Sequence, residues 1–228
     1  MTELLEQLKL ALSPTLKNHT SVEDPIYLVG PLLKITPSHL SSSNTVIFVD
    51  GGAKHKRGFG FAAGDGDSID SIHKLDFVFP AEKDRSDLGL VLMAIKNSAK
   101  KFVLLGFSGD RRDHDLFNLG EINNFLLLSK NQTSVLLDNN IMFLSPGSWK
   151  ISVDGLFSVG TLFENQISIS GDCKYKTLAK TKFNPLESLG LSNNANGIID
   201  ISSTKPFFIY LDNSVDKNSK SFTSLIAT

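Results

Sequence analysis

The feature that most constrains the fold is a change in hydrophobic period near residue 134. Before it, apolar runs of strand length alternate with stretches of helical spacing. Residues 26–30, 45–50, 59–63, 76–79 and 102–106 read as strands. A helix with Leu88, Val91, Leu92 and Ile95 on one face follows the fourth, with Ser86 or Asp84 as its N-cap; another carries Leu116, Leu119, Ile122 and Leu126. After residue 134 the helical spacing is lost. Short runs at 134–138, 141–144, 150–153, 167–170, 197–201 and 206–211 are separated by turn residues such as Ser145-Pro146-Gly147-Ser148. The pattern predicts an α/β domain with a mostly parallel sheet over residues 1–133, then an all-β sandwich over 134–228.

Composition narrows the class. At 228 residues, with 41% hydrophobic and 21% charged side chains, the chain can bury a substantial core. A net charge of −1 gives no basis for a nucleic-acid or anionic-membrane partner. Cys173 is the sole cysteine, so an intrachain disulfide is impossible and a cysteine zinc site is disfavoured. Leu4, Leu5, Leu8 and Leu12 form one stripe of an amphipathic helix. No apolar run approaches the ~18 residues of a membrane span. A cytoplasmic location is the expectation.

Acidic residues recur where strands end. Asp50-Gly51-Gly52 ends the second strand and Gly64-Asp65-Gly66-Asp67-Ser68 the third. Residues Glu82 to Asp87 follow the fourth, and Gly109-Asp110-Arg111-Arg112-Asp113-His114 follows the fifth. In an open α/β sheet, ligands bind at the carboxyl ends of the strands. Clustered carboxylates there repel one another, and a divalent cation is the usual resolution. A calcium loop starting at Asp65 is excluded, because Ile69 takes its fifth position and no Glu stands at the twelfth. Oxygen ligands suit magnesium. Two of the four arginines sit directly before Asp113 at a helix start, a setting suited to phosphate oxygens. No P-loop and no Gly-x-Ser-x-Gly elbow is present. The inventory points to magnesium-assisted phosphoryl-type transfer.

In their order, these motifs resemble those of the thiamine pyrophosphokinase family: Asp50-Gly51-Gly52, Gly64-Asp65-Gly66-Asp67-Ser68, Lys83-Asp84-Arg85-Ser86-Asp87 and Gly109 to His114, then Asn118 and Gly190-Leu191-Ser192-Asn193. The resemblance implies transfer of the diphosphate of ATP to the hydroxyl of thiamine, giving thiamine diphosphate and AMP. It implies a homodimer with sites at the subunit interface. Asp65, Asp67 and Asp87 would bind Mg2+, with Asp50 close by as a further catalytic carboxylate. Lys83, Asp84, Arg111, Asp113 and His114 would serve ATP. Ser86, Ser192 and Asn193 would serve the substrate.

Departures from that pattern are specific. The stretches after Asp50 and after Ser68 are short, Gly66 replaces an aromatic residue, Asp110 a glycine and Ser86 a threonine. They keep two alternatives open: a related diphosphokinase acting on another alcohol such as a pterin, and a non-catalytic relative that binds nucleotide or thiamine. The basic loop at Lys54, His55, Lys56 and Arg57 is a candidate for reaching the triphosphate. Trp149 is read as core or as a stacking partner for a substrate ring.

Overall fold

The computed structural model describes residues 2–19, 21–67, 75–109 and 111–211, and the backbone of 225–227. Ser68, Asp110 and the polar segment that begins at Asp212 lie outside the described residues. Contacts divide the chain into two compact units, Met1–Asp138 and Asn139–Thr228.

The first unit is an α/β layer. Helix α1 (Thr2–Lys17) buries Leu8 and Leu12 completely, as its leucine stripe predicts. Strands β1 (Ile26–Val29), β2 (Thr45–Val49), β3 (Phe61–Gly64), β4 (Phe77–Val78), β5 (Lys101–Leu105) and β6 (Ser134–Leu137) pair in the order β6-β5-β1-β2-β3-β4. Every one of these pairings is parallel. β1 and β2 are unbroken apolar runs because a parallel strand is covered on both faces. Ser134–Leu137 therefore belongs beside β5, in the first unit, although its sequence places it at the start of the β-rich half.

Helix α2 (Asp87–Ala94) starts where Ser86 caps it, the Ser86 Oγ accepting from the Gly89 N–H at 3.1 Å. Leu88, Leu90, Val91 and Leu92 are all buried, so α2 is covered on all sides rather than along one stripe. Helix α3 (Arg112–Leu128) buries Ile122, Phe125 and Leu126, but its first turns leave Leu116 and Phe117 exposed. The helical spacing of Leu116 thus does not report core burial.

The second unit is antiparallel. Strands β7 (Ile141–Leu144), β8 (Gly147–Gly160), β9 (Asn165–Cys173), β10 (Thr181–Phe183), β11 (Asn193–Ser203) and β12 (Phe207–Leu211) pair in the order β10-β9-β11-β8-β12-β7. A short β13 (Leu225–Ala227) lies along β8. In hydrogen bonding these strands make one continuous path. One face is buried throughout, through Trp149, Ile151, Val153, Ile167, Ile169, Ile199, Ile201, Phe207 and Ile209. Trp149 is 4% exposed and donates its indole N–H to the Ser145 carbonyl at 2.9 Å, which makes it a core residue and removes it from ligand stacking.

Candidate active site

Parallel strands with carboxylates at their ends bring those side chains to one edge. The chain runs outward from β1 through β2, β3 and β4, then returns to the other side of β1 as β5. This reversal leaves a crevice beyond the carboxyl ends of β1 and β5. A cleft of about 600 Å³ lies at that edge. It is lined by Pro31 after β1, Phe107 after β5, and Asp50, Asp65, Asp67, Lys83, Asp84, Ser86, Asp87, Arg111, His114 and Asn118. Nearly every residue expected at the ATP side in the first unit is there. Asp113 is not among the lining residues; it sits beside the cleft, paired with Arg111.

Three carboxylates crowd together. One oxygen each from Asp50, Asp65 and Asp87 lie within 4.8 Å of one another. Glycines make that possible. A Cβ at Gly64 would stand 2.7 Å from the Asp50 Cα and 3.3 Å from Asp87 Oδ2, so only glycine lets these backbones close up. Asp50 itself adopts φ 50°, a left-handed conformation that costs a non-glycine residue on the order of 1 kcal/mol. It opens a 3₁₀ turn spanning Asp50–His55, within the short stretch that follows β2.

Lys83 balances the cluster. Its Nζ lies 2.7 Å from Asp65 Oδ2 and 3.0 Å from Asp87 Oδ1, with the lysine side chain only 10% exposed. The Asp65 N–H donates to Asp87 Oδ2 at 3.1 Å. Burial, reinforced by the like charges of Asp65 and Asp50, pushes the Asp87 carboxyl up to about 6 despite Lys83. Burial also raises Asp65, but the Lys83 ammonium and the Asp67 N–H outweigh it and hold that carboxyl below its ordinary value. Burial works against the Lys83 charge, and the two aspartates overcome it and raise its pKa. Two neighbouring carboxyls pushed in opposite directions are typical of a functional site.

The tight set therefore differs from the sequence expectation. Asp50 joins Asp65 and Asp87 as the third member, whereas Asp67, just past Gly66 at φ 84°, is exposed and meets Asp65 through its backbone N–H at 3.3 Å. A set of oxygens from three carboxylates fits a hard divalent cation.

Arg111 is exposed at the cleft and pairs with Asp113 at 2.6 Å. Its guanidinium holds the Asp113 carboxyl down at about 2. Across the cleft lining, Arg85 contacts Glu121 at 3.1 Å, a pair the sequence did not single out. Glu121 also fills the space beside Gly89, where any Cβ would meet its carboxylate at 2.6 Å.

The basic loop after Asp50 faces another way. Lys54 Nζ donates to the Pro31 carbonyl at 2.5 Å, His55 bonds the Leu33 carbonyl at 2.7 Å and the Thr36 hydroxyl at 3.0 Å, and Lys56 pairs with Asp76. These contacts strap residues 31–36 and the start of β4 to the sheet. None of these three residues, nor Arg57, is among those lining the cleft, so the lining gives no support to the expectation that this loop reaches a triphosphate.

In the second unit, Ser192 has φ 57° and an exposed side chain, and its N–H donates to Ser158 Oγ at 3.0 Å. Asn193 is 3% exposed. Its Oδ1 accepts from the Tyr175 N–H at 2.9 Å and the Asn194 N–H at 2.8 Å, and its Nδ2 donates to the Tyr175 carbonyl at 2.7 Å. The amide is thus engaged in fixing the Tyr175 loop. Asn193→Leu is expected to strand those backbone groups and cost about 1–3 kcal/mol of stability. Urea unfolding checks this, and an unchanged midpoint would contradict it.

No protein-family model matches the sequence, and a search among curated proteins likewise gives no match. Solved structures do match. Thiamine pyrophosphokinase from Bacillus subtilis superposes with a TM-score of 0.66 at 22% identity, covering 84% of this chain and 100% of that one. Its fold is that of the thiamine pyrophosphokinases. The enzyme from Candida albicans gives 0.62 at 12% identity, covering 87% of this chain and 90% of that chain. The yeast enzyme gives 0.55 at 13%, covering 85% and 87%. The shared fold spans both units, so the β-rich half is part of the likeness. Among the described residues, no helix is long and apolar enough to cross a membrane.

Proposed function

We propose that this chain is an ATP-dependent thiamine diphosphokinase. The observation that carries the reading is the trio Asp50, Asp65 and Asp87 with Lys83 between two of its members, set at the carboxyl edge of a parallel sheet in a thiamine pyrophosphokinase fold. Asp50, Asp65 and Asp87 would hold Mg2+, with Asp67 at the exposed side of the cleft. Magnesium, when bound, supplies charge neutralisation for the phosphate oxygens. Lys83 and Arg111 would bind those oxygens, and Phe107 with Pro31 would exclude water beside them. In the transfer, the thiamine hydroxyl oxygen forms a bond to the β-phosphorus of ATP. The bond from that phosphorus to the α–β bridging oxygen breaks, the hydroxyl proton passes to solvent, and AMP leaves.

Ser192 is the residue of the second unit proposed to reach thiamine, its N–H held by Ser158 and the neighbouring Asn193 fixing the Tyr175 loop. A homodimer is part of the same reading, and light scattering of the active protein tests it. A second acceptor is kept open by one observation: only the short 3₁₀ turn Asp50–His55 follows Asp50, which lines the cleft. AMP release measured against a panel of alcohols, thiamine and pterin-like compounds among them, separates the two. Thiamine should be the best acceptor; a clear preference for another alcohol would overturn the assignment while keeping the chemistry.

A further inference from the structure

The end of β6 carries a carboxylate that no motif singled out. Asp138 has φ 45°, left-handed for a residue with a side chain. Such strain persists where surrounding interactions hold it. Its N–H continues the strand pairing by donating to the Leu104 carbonyl at 2.9 Å. Its carboxylate reaches past the end of β5. Oδ1 accepts from the Gly106 N–H at 2.5 Å; Oδ2 accepts from the N–H groups of Phe107 at 3.2 Å and Ser108 at 2.9 Å, and from the Ser108 hydroxyl at 2.6 Å.

Three successive backbone N–H groups converging on one point form a nest for an anion. Here the anion is the protein's own. The same segment is gripped from α3, where Asn118 Nδ2 donates to the Phe107 carbonyl at 2.9 Å and the Asp115 carboxylate accepts from the Gly109 N–H at 3.1 Å. Gly106, at φ 76° and pressed against the Leu33 backbone, makes the turn that brings the nest round. Phe107, Asn118 and Arg111 line the cleft.

We propose that Asp138 is a positioning residue: by filling the nest after β5 it holds the Phe107 wall of the cleft in its nucleotide-binding shape before nucleotide arrives. The inference rests on reading the cleft as the ATP site. With the nest filled internally, the triphosphate is left to Lys83 and Arg111. A wall fixed in advance lowers the ordering cost of binding.

The test uses the full chain at a temperature well below its melting point. Asp138→Asn replaces one of the two accepting oxygens by an amide NH2, so in either orientation at least the bond from the Gly106 N–H or those from Phe107 and Ser108 are lost. Hydrogen exchange at residues 106–109 should accelerate while the far-ultraviolet dichroism stays unchanged. Affinity for α,β-methylene-ATP with Mg2+ should fall about tenfold or more. Ser108→Ala, which removes one of those bonds, should show the same two effects on a smaller scale, and it serves if the first variant fails to fold. Faster exchange with nucleotide affinity within about twofold of wild type would reduce Asp138 to a structural role and overturn the proposal, as would unchanged exchange. A wild type that binds no nucleotide would sink the kinase reading by itself; the exchange data would then still decide whether Asp138 holds this loop.

Discussion

Asp87→Asn is expected to lower diphosphate transfer by roughly 10²- to 10³-fold and, in the absence of metal, to stabilise the folded chain. The two effects have one cause. Asp87 is a side chain only 10% exposed, facing Asp65 and Asp50. Its carboxyl is pushed up to about 6 by burial and those charges, from an ordinary 3.8. Between those values the folded state binds a proton that the unfolded state has released. Stability therefore falls as pH rises through this window. Asparagine keeps an oxygen for the Asp65 N–H, leaves Lys83 paired with Asp65, and removes the charge. In EDTA the variant should melt above wild type near pH 7, with the gap closing toward pH 4. Added Mg2+ should raise the wild-type melting point and leave the variant nearly unmoved. A variant less stable than wild type at pH 7 without metal, or one with full turnover, would contradict this.

Gly52→Ala is expected to be the most damaging small substitution near the cleft, costing about 3 kcal/mol or more. Gly52 lies in the 3₁₀ turn after β2, and a Cβ there would fall on the Val29 carbonyl, with the Gly30 carbonyl carbon 3.1 Å away. Neither atom can retreat. β1 is paired on both sides, to β2 and β5, and the Gly30 N–H is bonded to the Leu105 carbonyl at 2.8 Å. The comparison is Gly58→Ala. Gly58 has φ 75° but open space where a Cβ would stand. That change should cost only about 1 kcal/mol, through backbone conformation alone. Urea midpoints of both variants decide; equal losses would show that close approach to β1 is not what the second glycine of Asp50-Gly51-Gly52 provides.

Particular elements show what the sequence could reveal. β1, β2 and β5 were legible because a strand buried on both faces has to be apolar throughout. The carboxylates were legible because they follow strands, and parallel strands end on one edge. The tight approach of Asp50 to Asp65 and Asp87 was not, the family pattern placing it only close by. Asp50 turns inward through a left-handed backbone at φ 50°, and nothing in an Asp-Gly-Gly string distinguishes that from an extended residue. Asp138, at φ 45°, was hidden in the same way, and the left-handed turn at Ser192, φ 57°, was equally invisible although the residue itself was singled out. Asn193 was recognised as important, but its partners, the backbone groups of Tyr175, lie across a loop whose course no local pattern encodes. Of β8, Gly147–Gly160, the sequence showed only 150–153, because its outward positions are polar and Gly155 interrupts the alternation.

The central claim is that the Asp50, Asp65, Asp87 cluster with Lys83 transfers a diphosphate rather than a single phosphoryl group. Phosphorus-31 NMR of wild-type protein with Mg2+, ATP and thiamine tests it most directly, because AMP and ADP give separate signals. The account predicts AMP and thiamine diphosphate in equal amounts, both abolished by EDTA. ADP in place of AMP, or AMP formed without thiamine diphosphate, would contradict it.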